Sequence, residues 1–107
     1  MIDNSGEVWI GLFEVVAASE CCRMLEPQEA AYVHVLAIAR DRAHYDAQFH
    51  PAIARAHLSV VKIFDVMPYG DFAEHYEMYD DVAEIAATMT GTSGVRFGTF
   101  HCWPRVM

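Results

Sequence analysis

The alternation of apolar and polar positions is clearest over residues 31–39, AYVHVLAIA. Successive side chains of a strand point to opposite faces. Tyr32, His34, Leu36 and Ile38 therefore share one face, and Val33, Val35, Ala37 and Ala39 the other. The second set is small and apolar, which suits a helix packed above it. Both sets are mostly apolar, so this strand is expected in the middle of a sheet.

Other stretches follow in the same way. Residues 7–16 (EVWIGLFEVV) are β-branched and aromatic, as in a buried first strand, with Gly11 marking a bulge or a close backbone approach. Residues 17–29 hold no clear period, and Pro27 stops any helix near Leu25. A single helical turn inside a long connection is expected there. After Arg40-Asp41-Arg42, Tyr45, Phe49, Ala52, Ile53 and Ala56 recur at helical spacing to about His57. Pro51 within that stripe predicts a kink or break near His50. Residues 59–67 (SVVKIFDVM) form a third strand.

Asp71 with Glu74 three positions later makes a capping-box pattern for a second helix, running to about Thr88. Phe72, Tyr76, Tyr79, Val82, Ala83 and Ala86 are its apolar stripe, and Glu74, Glu77, Asp81 and Glu84 its solvated face. Gly91 and Gly94 suit the stop that follows. Residues 95–103 (VRFGTFHCW) are the fourth strand, ended by Pro104.

The order β-β-α-β-α-β predicts one α+β domain over residues 1–107. Its expected form is a two-layer sandwich, a four-stranded mixed sheet with two helices on one face. The first two strands should pair antiparallel, and the helix-bearing connections should be right-handed parallel crossovers. A ferredoxin-like plait would need a helix over 17–29, where Pro27 and the missing stripe oppose it. In size and layout the chain resembles the small α+β proteins of bacterial mobile gene cassettes, with no motif behind the resemblance.

Composition narrows the partners. The formal charge of −8 comes from 15 acidic and 7 basic residues, and Lys62 is the one lysine. Phosphate backbones and anionic membrane surfaces are bound by clustered Lys and Arg, so neither nucleic acid nor membrane is an expected partner. No run approaches the roughly 18 apolar residues of a membrane span. The acidic start of the chain lacks the basic region of a signal peptide. Cys21, Cys22 and Cys102 leave one thiol over in any disulfide scheme. A reducing, cytoplasmic setting with structural thiols is expected. With 54% hydrophobic residues in a small domain, apolar surface is left over for a homodimer interface or a ligand cavity.

The six histidines make a metal site worth weighing. Helical metal pairs stand at i and i+4, and His44, His50 and His57 are six and seven apart. No metal and no cofactor is expected. His101 and Cys102 adjoin on a strand and so face opposite ways, which excludes a thiol–imidazole pair between them. The segment 91–94 precedes a strand, where a phosphate cradle precedes a helix.

The candidate ligand-binding residues are Tyr32, His34, His101 and Trp103. Tyr32 and His34 lie side by side on the face opposite the helix-packing set, and His101 and Trp103 share a face of the fourth strand. Aromatic rings offer contact area at small entropy loss, and histidine offers a donor and an acceptor. The plainer role for the same residues is to fill a dimer interface. The leading expectation is a non-catalytic homodimeric module that binds a small molecule or a protein. The rivals are a small enzyme with a strand histidine as acid or base, and an acidic inhibitor that presents the second helix to a basic protein.

Overall fold

The computed structural model of the chain describes residues 6–19, 22, 25, 29–76, 80–89 and 94–104. The elements are β1 (Glu7–Ala17), β2 (Glu29–Ala39), α1 (Arg42–Arg55), β3 (Leu58–Pro68), α2 (Tyr69–His75), α3 (Asp80–Thr88), β4 (Arg96–Phe97) and β5 (His101–Pro104). Of residues 17–29, where a single helical turn is expected, only 17–19, 22, 25 and 29 are described, and there the Cys22 amide donates to the Ser19 carbonyl at 3.1 Å. Cys21, Pro27, Glu77, Tyr79 and Gly91 lie outside the described residues. None of the described helices is long and apolar enough to cross a membrane.

The strands form one sheet in the order β3-β1-β2-β4, with β5 also paired to β2. The α+β sandwich holds, with two differences from the expected layout. First, every described pairing is antiparallel. Strands β2 and β3 do run the same way, since both are antiparallel to β1, but β1 lies between them. The crossover rule asks only that the two strands share a sheet, so β2 to β3 meets the expectation of a parallel connection. The connection from β3 to β4 does not, because β4 is antiparallel to β2 and therefore to β3. Here β1 is apolar on both sides and takes the inner position.

Second, the helices lie on both faces. Helix α1 places Tyr45, Phe49 and Ile53 over Phe13, Val15, Val33, Val35 and Ala37. These are alternate residues of β1 and β2, so they define one face. On the other face Phe72 of α2 and Val82 of α3 cover Ile10 and Leu36. This second pair of helices reaches only one end of its face, because each is short, at 7 and 9 residues.

Local chemistry sets the element ends. Asp41 caps α1, its carboxylate accepting from the His44 amide at 2.8 Å. The helix continues through Pro51 rather than breaking at His50. The expected second helix is two. Helix α2 starts at Tyr69 with Pro68 as its cap, so Asp71 sits in its first turn. It ends at Tyr76, whose backbone is extended, and Asp80 and Asp81 supply first-turn acid to α3. The expected fourth strand is divided into β4 and β5. Between them the pairing with β2 slips by one residue, from Val35↔Phe97 to Tyr32↔His101.

Strand β3 carries two register shifts against β1, one between Gly11 and Phe13 and one between Glu14 and Val15. Each inserts an extra residue. As a result Val60, Ile63 and Val66, three apart, all join the core under α1. The pairs Val61/Lys62 and Phe64/Asp65 are left for the other side, where strict alternation would have divided them.

Candidate functional site

A pocket of about 390 Å³ opens on the face that α2 and α3 only half cover. It is lined by Leu12, Tyr32, His34, Asp65, Phe72, Tyr76 and His101. Leu12 and His34 are cross-strand partners on β1 and β2 and form its floor. Tyr32 and His101 are directly paired across β2 and β5, so they rise on the same face. Asp65 arrives from the opposite edge through the β3 bulge beside Leu12. Phe72 and Tyr76 overhang from α2.

Three of the four expected residues, Tyr32, His34 and His101, therefore meet at one pocket. Trp103 is paired through its backbone with Ala30 on β2, and its side chain lies outside the described residues. The expected helix-free face is corrected in part. His34 is buried, 6% exposed, with its ring edge-on to Phe72 of α2 at 5.7 Å. Tyr32 is 39% exposed and packs edge-on to Phe64 at 5.6 Å.

The sequence reading missed Leu12, Asp65, Phe72 and Tyr76. Tyr76 belonged there to a buried helical stripe. In the structure it is exposed, stacks near Phe72 at 4.7 Å and donates its hydroxyl to Asp65 Oδ2 at 2.6 Å. The signal for Asp65 was available in the three-residue spacing of Val60, Ile63 and Val66, which no regular strand gives.

The electrostatics separate the polar groups. Burial pulls the His34 imidazole below its ordinary range. Asp81 pulls it partly back up and His101 pushes it further down. His34 is thus held neutral near pH 7, with one ring nitrogen as donor and the other as acceptor. The hydrogen bond to the Asp65 carboxylate pushes the Tyr76 phenol up, so its proton stays in place. Asp81 lies behind the site. It accepts from Thr99 Oγ1 at 2.7 Å and from the Thr99 amide at 2.8 Å, and these bonds, the side-chain one foremost, hold its carboxyl below the usual range. Gly98, in the gap between β4 and β5, donates its amide to the His34 carbonyl at 2.9 Å. Asp81 was expected on a solvated face. It instead ties α3 to this gap.

Among the described residues, no three His, Cys, Asp or Glu side chains converge closely enough to hold a metal ion. The arrangement can receive a small molecule, press it against phenyl and phenol rings, and offer it a neutral imidazole and a carboxylate. No protein-family model, curated protein or solved structure matches the chain, so its function is argued from this geometry.

Proposed function

We propose that this protein is a homodimeric binding module that holds a small molecule against Tyr32, His34 and His101. The observation that carries the reading is the pocket itself. Its volume of about 390 Å³ falls within the range of small-molecule sites, roughly 300–1,000 Å³. Its lining combines apolar rings with a few convergent polar groups, the usual composition of such sites. Dimer formation is supported by Tyr32, Val61, Phe64 and Tyr76, large side chains left exposed. A second copy on this face would close the pocket's open side. The odd number of cysteines, 3 in all, supports a reducing, cytoplasmic setting.

A thermal-shift screen of small molecules against the wild type and a His101→Trp variant tests the reading. A ligand of the native state adds stability, about 2.7 kcal/mol at a hundred times Kd. Hits should raise Tm in the wild type and lose the effect when the indole fills the pocket. Equal shifts in both proteins would count against the site. One observation favours catalysis as a second reading. Two histidines and a hydroxyl–carboxylate pair face the same cavity, a setting in which acid–base transfer is feasible. Mass spectrometry of a bound hit after long incubation separates the two, since a binding module returns it unchanged.

A further inference from the structure

The pocket is uneven in charge. Among the described residues, Asp65 is the one carboxylate that lines it, and no described lysine or arginine does. The chain as a whole carries −8, and burial holds His34 in its neutral form. An anionic ligand would meet Asp65 with no lysine or arginine among the described lining residues to offset it. A cation would meet the reverse, because the faces of Tyr32, Phe72 and Tyr76 carry the negative end of a ring quadrupole. Tyr76 also donates its hydroxyl to Asp65 Oδ2 at 2.6 Å. That bond fixes the carboxylate beside the rings and still leaves it acceptor sites, since a carboxylate has about four.

The protein already seats a cation on this face. Lys62 Nζ stands 4.9 Å from the centre of the Phe64 ring, and Phe64 packs edge-on against Tyr32. The β3 bulges that turn Phe64 and Asp65 to the same side thus build an aromatic surface with an acid at its edge. We propose that the ligand of this pocket is a small organic cation. Its ammonium group lies between Asp65 and the rings of Tyr32, Phe72 and Tyr76, and its apolar body rests on Leu12. This rests on the pocket being a small-molecule site.

The test compares three probes of one shape: choline, its uncharged carbon isostere dimethylbutanol, and the dimethylbutanoate anion. Binding is measured by calorimetry, with amide and histidine NMR shifts used to locate each probe. Choline should bind about tenfold tighter than the isostere or better, the factor that one cation–π contact and one charge pair supply together. Asp65→Asn, a change at an exposed position, should cut that preference several-fold by removing the charge pair, and should weaken choline more than the isostere. Tyr32→Leu should weaken choline more than the isostere. Equal binding of choline and its isostere, or tighter binding of the anion, would overturn the cation proposal and leave the pocket as a binding site. Absence of any pocket shift with all three probes would overturn the proposal and the site together.

Discussion

Gly11 stands where a strand would ordinarily carry a large side chain. A Cβ there would come within 2.8 Å of Phe13 Cε1 and of Val66 Cγ2, and 3.0 Å from the Tyr45 hydroxyl. That hydroxyl is fixed, because it donates to the buried Val35 carbonyl at 2.6 Å. Gly11→Ala is therefore expected to destabilise the fold by about 1–3 kcal/mol, the usual range for overpacking a filled core. A fall in the urea midpoint at unchanged slope is the readout. His34 gives a pH prediction. The unfolded imidazole takes up its proton as pH falls through about 6.5, while the buried one resists. Across that interval the unfolded state binds more protons, so stability falls as pH falls. The loss levels off below the folded pKa, and His34 adds no slope above neutrality. Urea midpoints measured across this range should show the decline in the wild type and a smaller one in His34→Gln. Tyr32 and His34 were legible as site residues because strand alternation alone puts them on one face. Asp65 was legible only indirectly, through the three-residue spacing of Val60, Ile63 and Val66, since its direction depends on a bulge.

At the scale of elements, alternation and helical spacing located β1, β2, α1 and β3 closely. They failed where tertiary bonds override local preference. The expected single helix after Pro68 became α2 and α3, with Tyr76 extended between α2 and the residues that follow and bonded to β3 through Asp65. The sequence signal for Asp81 was an exposed face of acid residues, yet its carboxylate clamps Thr99. That clamp joins a short helix to the gap in which β4 and β5 change register. Asp81→Ala should free α3 from the sheet. Amide exchange over residues 80–89 is expected to quicken by an order of magnitude or so, as for the loss of one charge-assisted bond, while α1 stays protected. Equal acceleration in both helices would show that the clamp holds no particular element. The bulges in β3 have a second consequence at this scale. They disturb the free edge of the sheet and so discourage pairing of β3 with another chain.

For the whole molecule, the decisive fact is unequal cover. One sheet face is closed by α1 along most of its length, and the other by α2 and α3 at one end. Helix order alone pointed to one covered face, because a crossover from β2 to β3 does not reveal which side the next connection takes. The uncovered part keeps Tyr32, Val61, Phe64 and Tyr76 exposed. If a second copy covers it, sedimentation at tens of micromolar should give twice the chain mass of 12.1 kDa, and Phe64→Asp should return the monomer. A monomer in the wild type at that concentration would rule the dimer out. The central claim is the pocket, and NMR mapping of a screening hit on the labelled wild-type protein tests it most directly. The account predicts shifts concentrated at Leu12, Tyr32, His34, Asp65, Tyr76 and His101, with α1 silent. Shifts centred on α1 or scattered over the surface would contradict it.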